Sequence, residues 1–256
     1  MGYWVTRTYV SGKVGEKTKY YIAGNQRNRK KIRSAIKKQE QNSASTEKQM
    51  ARLLNINFGA GDLLIGLDYS DKALGKLSAK VKDAEDEDTE RYKAAVHNAS
   101  LLIRRVKREL AKDSIDIMFI GITSDLDGKT GEIVRLHHHI VMRGVSPGRS
   151  QAEINKKVFE TVKAKWTDGA VDVEYLSQQD DYTPIAHYFI KQVRRIDDAK
   201  KYSSSRNLVR PTFKDRVVSS NAELRIPPRA KILFRSEYAP YKPQYVRYII
   251  NKNQRE

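Results

Sequence analysis

The alternation of apolar and polar positions predicts a sheet interrupted by helices. Residues 63–69 and 115–123 are apolar runs of strand length, and residues 133–142 form a third strand after a turn at 127–131. From residue 90 to residue 112, apolar side chains recur every three or four positions, which is the period of an amphipathic helix. The first half of the pattern is therefore strand, helix, strand, strand.

The second half of the pattern adds a helix, a strand and a helix. Ser150 and Glu153 have the spacing of a capping box at the start of a helix, and residues 170–176 alternate as a strand does. Thr183 and Pro184 fit the cap and the first position of the last helix. This order predicts an α+β fold in which an antiparallel sheet carries its helices on one face.

The composition narrows the class of partner. In 256 residues, 49 Lys and Arg outnumber 31 Asp and Glu, and the net charge of +18 suits a polyphosphate such as nucleic acid better than an ordinary basic surface. The absence of cysteine excludes disulfides and thiolate zinc sites. No apolar run approaches the ~20 residues that cross a bilayer, and the N-terminus lacks the apolar core of a signal peptide. We therefore expect a cytoplasmic protein with no membrane partner.

The N-terminal residues predict a basic hairpin and arm over residues 1–50, followed by a second domain over 51–256. Residues 3–10 and 17–23 are rich in aromatic and β-branched types and flank a turn. The basic run at 25–38 contains no acidic residue, which is typical of a solvated face or of a segment that lies along phosphates. From this run we expect the following residues to bind DNA: Arg27, Arg29, Lys30, Lys31 and Arg33.

Three of the five histidines stand together in the strand at 133–142. Strand alternation places His137 and His139 on one face of the sheet and His138 on the other. Two imidazoles separated by one residue can provide two ligands for a divalent cation, although core or surface histidines with hydrogen-bond partners produce the same pattern. Because the chain has no cysteine and a phosphate substrate is expected, Mg²⁺ or Mn²⁺ is favoured over zinc, and Mn²⁺ matches imidazole better.

A tyrosine on the last predicted helix is the candidate nucleophile. Tyr188 and Lys191 are three positions apart, so both lie on one helix face, and Arg195 follows on the same side. Lys191 could lower the pKa of the phenol or hold the DNA strand. Most of the 14 tyrosines are expected to be packing residues, and Tyr182 is the rival nucleophile. The combination predicts metal-assisted attack of a tyrosine on a phosphodiester.

Four segments, in this order, resemble the HUH endonuclease superfamily, and specifically the rolling-circle replication initiators of phages and plasmids. Leu63 to Tyr69 resembles its first motif, a hydrophobic strand with a polar residue and an aromatic. Leu136 to Val141 is similar to the His-hydrophobic-His motif, and Tyr188 to Lys191 to the Tyr-x-x-Lys motif. Tyr202 to Leu208 resembles a downstream Ser-Arg segment. The similarity covers roughly residues 50 to 230.

The resemblance implies a five-stranded antiparallel sheet of the Rep type, related to ferredoxin-like and RRM-like folds, in an endonuclease domain over 51–256. It implies that His137 and His139 bind the metal. Tyr188 would cut one DNA strand, remain joined to the 5′ phosphate and release a 3′-OH that primes synthesis. The Ser-Arg segment adds Arg206 to the expected DNA-binding residues, together with Arg195 on the tyrosine helix.

The third metal ligand departs from the family pattern. The family usually has a glutamate near the end of the strand before the histidines, where this chain has Thr123, Ser124 and Asp125. Asp125 is the nearest carboxylate. The polar residue of the first motif is often threonine, and here Asp68 could provide the carboxylate from the adjacent strand. Both aspartates are therefore candidate ligands.

The sequence thus predicts a metal-dependent, sequence-specific single-strand DNA endonuclease and strand transferase that initiates rolling-circle replication at an origin, in a bacterial host cell. A relaxase or transposase with the same chemistry is one alternative, and a non-catalytic nucleic-acid-binding module is another. The chain has no Gly-x-x-x-x-Gly-Lys loop, so helicase activity is expected from a host helicase acting with a host polymerase.

Overall fold

The computed structural model describes residues 2–22, 35–194, 196, 200–238 and 241–251, with residues 35–43 described by their backbone alone. The basic run predicted to bind DNA, from Arg27 to Arg33, lies outside the described residues, as does Arg195. Contacts divide the chain into two compact units. The central unit comprises residues 58–179 and 185–208, and the terminal unit comprises residues 1–57, 180–184 and 209–256.

The secondary structure is a mixture of strands and helices, as an α+β fold requires. In chain order the elements are β1 (Tyr3–Ser11), β2 (Val14–Ile22), α1 (Ala35–Asn57), β3 (Leu63–Asp68), α2 (Asp71–Lys80), α3 (Glu87–Ala111), β4 (Asp116–Leu126), β5 (Ile133–Val145), α4 (Gln151–Lys165), β6 (Val171–Tyr175), α5 (Thr183–Gln192), β7 (Ser203–Ser204), β8 (Phe213–Val218), β9 (Lys231–Arg235) and β10 (Gln244–Ile249).

The central unit is built on a five-stranded sheet with the order β6-β3-β5-β4-β7, in which every neighbouring pair is antiparallel. On one face of this sheet, apolar residues from β3, β4 and β5 pack against α2, α3 and α4 in a single core. The predicted α+β class and antiparallel sheet are thus confirmed at the level of architecture.

One helix of this core, α4, begins where the sequence indicates. The Ser150 side chain accepts a hydrogen bond from the Glu153 backbone and the Glu153 side chain accepts one from the Ser150 backbone, so the predicted capping box of α4 is present. Ser70 caps α2. The sequence pattern missed α2, because its buried face consists of only Ala73 and Leu77 and an acidic cluster follows it.

The expectation of helices on one face is wrong for α5. The ring of Phe189 in α5 stacks on His139, with centroids 5.7 Å apart and planes 14° apart. His139 and His138 point to opposite faces, and His138 belongs to the face that carries the core helices. Consequently α5 covers part of the second face of the sheet, and that is the face on which His137 and His139 lie.

The terminal unit contains a second five-stranded antiparallel sheet, with the order β8-β1-β2-β10-β9. The predicted N-terminal hairpin is present as β1 and β2, but both ends of the chain contribute to this sheet. Contacts therefore do not separate residues 1–50 from the rest. Inside this unit, Arg52 of α1 forms a bidentate ion pair with the buried Glu16 of β2, with distances of 2.7 and 3.0 Å.

Among the described residues, no helix combines the length and the apolar character that crossing a membrane requires.

Candidate metal and tyrosine site

Strand register brings the predicted site residues to one face of the central sheet. His137 of β5 pairs with Asp68 of β3 on one side and with Ser124 of β4 on the other. His139 pairs with Gly66 of β3. Since paired residues of antiparallel strands point to the same face, these side chains share one surface. A Cβ added to Gly66 would meet only Asp172, at 3.8 Å, so β3 leaves the space beside His139 open.

The two imidazoles converge through their Nε2 atoms. Nδ1 of His137 donates a hydrogen bond of 2.7 Å to the Arg135 carbonyl, so Nδ1 carries a proton and Nε2 is the ring nitrogen that faces the site. This Nε2 lies 3.1 Å from Nε2 of His139. Burial lowers the pKa of His139 to about 4, with a further lowering from His137, so the imidazole is neutral near pH 7. Neutral imidazole is the form that binds metals.

The candidate nucleophile stands directly beside this pair. The ring centroid of Tyr188 on α5 lies 5.8 Å from that of His139, and the Tyr188 side chain is 49% exposed. Lys191 follows on the same face of α5 and is exposed. In contrast, the rival Tyr182 is buried, and its backbone N–H donates to the Asn55 side chain. A DNA strand can therefore reach Tyr188 more easily than Tyr182, which favours Tyr188 as the nucleophile.

Gln192 is a candidate ligand that the sequence reasoning missed. It follows Tyr188 by four positions and so lies on the same helix face. Its amide adjoins His139 and slightly raises the pKa of that ring against the larger effect of burial. Oε1 of this buried residue makes no hydrogen bond of ordinary geometry among the described residues, although the amide lies close enough to His139 to affect its pKa. The only sequence signal was its spacing from Tyr188, and a neutral amide does not stand out among 256 residues.

The donor set fits a divalent cation when Gln192 is included. The imidazoles of His137 and His139 and the buried carbonyl oxygen of Gln192 are the borderline and hard donors that Mn²⁺ or Mg²⁺ accepts. No three His, Asp or Glu side chains of the described residues form a metal-binding group by themselves. Asp68 is exposed and lies across from His137, so it is the carboxylate that the register brings to this surface.

Asp125 has a different environment. Its carboxylate forms a 2.5 Å ion pair with Arg194, just beyond the end of α5, and the Asp125 side chain is buried. The pairing between β4 and β5 is irregular at this residue, between Ser124 and Leu126. The preceding Ser124 donates a hydrogen bond from Oγ to the Gln192 carbonyl at 2.9 Å. These two contacts attach the C-terminal end of α5 to β4, and Asp125 is not brought into a group with His137 and His139.

His138 is a core residue. The hydroxyl of Tyr69 lies 3.0 Å from its Nε2 and the hydroxyl of Thr123 lies 3.0 Å from its Nδ1, so both ring nitrogens have partners. The Trp166 ring packs edge-on against it. Complete burial lowers the pKa of His138 to about 3 and keeps the ring neutral. The middle histidine therefore stabilises the sheet, and its two neighbours are free to face the site.

The Ser-Arg segment forms the edge of the same sheet. Ser203 and Ser204 of β7 pair with β4, and Oγ of Ser205 accepts a hydrogen bond from the Phe119 backbone. Arg206 is exposed at this edge. The other predicted DNA-binding residues lie outside the described part of the chain, so Arg206 is the one that the structure places.

Comparisons with protein-family models, with curated proteins and with solved structures gave no match.

Proposed function

We propose that this protein is a metal-dependent single-strand DNA endonuclease and strand transferase that initiates rolling-circle replication. The observation that carries the proposal is the position of an exposed tyrosine, Tyr188, beside two imidazoles whose Nε2 atoms are 3.1 Å apart. An accessible phenol beside two converging imidazoles supports a role as the nucleophile that would attack a phosphate held by the proposed cation.

In this proposal His137, His139 and Oε1 of Gln192 would hold Mn²⁺ or Mg²⁺. When bound, the ion withdraws charge from the scissile phosphate and stabilises the charge that develops on it. The Arg135 carbonyl orients His137 through its Nδ1 proton, and the Phe189 ring holds His139 by stacking. Such contacts behind the ligands fix the direction of their lone pairs.

The reaction is a transesterification. Tyr188 Oη passes its proton to solvent water and attacks phosphorus, the bond from phosphorus to the 3′ oxygen breaks, and that oxygen takes a proton from water to become a 3′-OH. The product is a 5′-phosphotyrosine, and the reverse attack by a 3′-OH rejoins a strand. Lys191, one turn along the same helix face, provides a positive charge for the strand that Tyr188 cuts.

The charge of the chain supports a nucleic-acid substrate. A net charge of +18 favours association with a polyanion, and the exposed Arg206 lies at the edge of the sheet that holds the site. The proposed substrate is single-stranded DNA at a replication origin, and a host helicase and polymerase would continue synthesis from the released 3′-OH.

The test is a covalent adduct. Labelled single-stranded DNA from the protein's own replicon is incubated with the chain and Mn²⁺, and products are separated on a denaturing gel. We expect a shifted protein–DNA band that disappears in Tyr188→Phe and persists in Tyr182→Phe. Bound DNA without an adduct would instead indicate a non-catalytic binding module. A relaxase or transposase would form the adduct but would not support replication of a plasmid that carries the nicked origin.

A further inference from the structure

The central unit has a basic groove on the side of the sheet opposite the histidine pair. The groove has a volume of about 650 Å³ and lies at the C-terminal end of α3 and the start of β4. Its charged and polar lining residues are Arg104, Lys107, Arg108, Ser114 and Asp116. The apolar face of α3 packs into the core through Leu102, Val106 and Leu110, so these cations project outward from the opposite face of the helix.

Two of the three cations have no internal partner. Arg104 and Arg108 form no ion pair with any residue that the structure describes, and they lie one helical turn, ~6 Å, apart along the axis. Lys107 is 3.6 Å from Asp116. The Asp116 carboxylate also accepts hydrogen bonds from the Asn207 side chain and from the Ile117 backbone, so its charge is shared.

Neighbouring cations of the same surface are paired instead. Lys112 and Lys165 contact Glu109 at 2.9 and 3.1 Å, and Lys157 contacts Asp113 at 3.0 Å. Acidic partners are thus available on this side of the unit but do not reach Arg104 or Arg108. A concave group of unpaired guanidinium groups attracts an external anion, because binding that anion does not require an ion pair within the protein to break.

The lining also restricts the kind of anion. It contains no aromatic ring on which a base could stack, and no side-chain amide or carboxylate apart from Asp116 that could read a base edge. Binding of single strands depends on such rings, whereas the backbone of a duplex presents phosphates alone to a basic surface. We propose that this groove binds the phosphate backbone of duplex DNA while the opposite face of the sheet engages the single strand.

The choice of DNA as the polyanion rests on the proposed function, since an initiator must hold the duplex beside the strand that it cuts. The three cations of the groove lie in α3, and none of them contacts the histidine pair or Tyr188. Duplex binding and strand cleavage can therefore be separated by substitution.

The test measures the salt dependence of binding by the full-length chain to a fluorescent duplex of arbitrary sequence. The variant Arg104→Gln/Lys107→Gln/Arg108→Gln is compared with Lys72→Gln/Lys76→Gln/Lys80→Gln, which removes three exposed lysines from α2 of the same unit. Each phosphate contact contributes about 0.9 to the slope of log K against log salt, so loss of the two unpaired arginines should reduce the slope by about 1.8, and the control should keep its slope. Circular dichroism and melting temperature confirm that both variants fold.

Equal slopes in the two variants would overturn the proposal, as would groove-dependent binding of phosphatidylserine vesicles without binding of the duplex. Adduct formation on a single-stranded oligonucleotide is measured in parallel. We expect the groove variant to form the adduct at the wild-type level, and Tyr188→Phe to keep groove-dependent duplex binding without forming it. The assays therefore distinguish the case in which the groove does not bind duplex DNA from the case in which the protein is not a nuclease.

Discussion

The Nε2 atoms of His137 and His139 lie 3.1 Å apart, and the proton of His137 is held on the other side of its ring by the Arg135 carbonyl. At this distance a proton on one Nε2 can join the two rings in a hydrogen bond, and the proposed cation would take the place of that proton. The sheet imposes this arrangement, because both residues belong to one strand and have one residue between them. The strand thus holds the two Nε2 atoms together, as the proposed cation site requires.

Metal binding tests which residue completes the site. We expect His137→Ala and His139→Ala each to abolish binding of Mn²⁺ measured by isothermal titration calorimetry. Gln192→Leu should weaken it by about tenfold, or ~1.4 kcal/mol, because one oxygen ligand is lost. Asp125→Asn should leave the affinity unchanged, since one oxygen of its carboxylate is paired with Arg194 and the residue forms no metal-binding group with the histidines. If Asp68→Asn weakens binding and Gln192→Leu does not, the carboxylate opposite His137 is the third ligand instead.

Acid should destabilise the central unit through His138. Its pKa is about 3 in the folded chain against an ordinary value near 6.5, so the unfolded chain binds more protons between these values. The stabilisation is fully present above pH 6.5 and is lost as the pH falls toward 3, with a slope of about 1.4 kcal/mol per pH unit for this group. Urea denaturation in the presence of a chelator measures it.

The matched variant for this prediction is His138→Gln, which keeps a polar side chain at the site but does not titrate. Its free energy of unfolding should change less steeply with pH than that of the wild type over the same range. Identical slopes would mean that His138 is not the group that couples folding to protons, and that His139 or another residue provides the dependence.

The ion pair of Asp125 and Arg194 should stabilise the chain measurably. Asp125→Asn or Arg194→Gln leaves one charge largely buried, and we expect either change to lower the free energy of unfolding by roughly 2–4 kcal/mol. A double-mutant cycle in urea isolates the coupling between the two groups. The exposed pair of Glu90 and Lys93 is the control, with an expected coupling below about 0.5 kcal/mol. If the coupling energy between Asp125 and Arg194 is no larger than that of the control pair, the ion pair does not stabilise the C-terminal end of α5.

Much of the central unit could be predicted because its signals are local. The alternation of β5 placed His138 opposite its neighbours, and the spacing of apolar residues gave α3 within three residues of its observed start. Ser150 and Glu153 marked the start of α4. Each of these patterns involves residues only a few positions apart in the chain. Such short-range patterns can be read from the sequence without knowledge of the fold.

The terminal sheet could not be predicted in this way. Every residue of β8 except Val218 is exposed, so the strand has no buried face to create an alternation. Its partner β1 is about two hundred positions away, with Arg7 paired to Asp215, and such a distant pairing leaves no local pattern. Gln192 was missed for a related reason, because its role depends on how α5 is placed over β5 and not on the type of side chain.

The most direct test of the central claim is to identify the residue that becomes attached to DNA. The adduct formed with single-stranded origin DNA and Mn²⁺ is digested with a protease and a nuclease, and the modified peptide is sequenced by mass spectrometry. Our account predicts a nucleotide joined through its 5′ phosphate to Tyr188, and no adduct from His137→Ala/His139→Ala. Attachment at Tyr182 or another residue, or a protein that binds the DNA and never becomes attached, would contradict it.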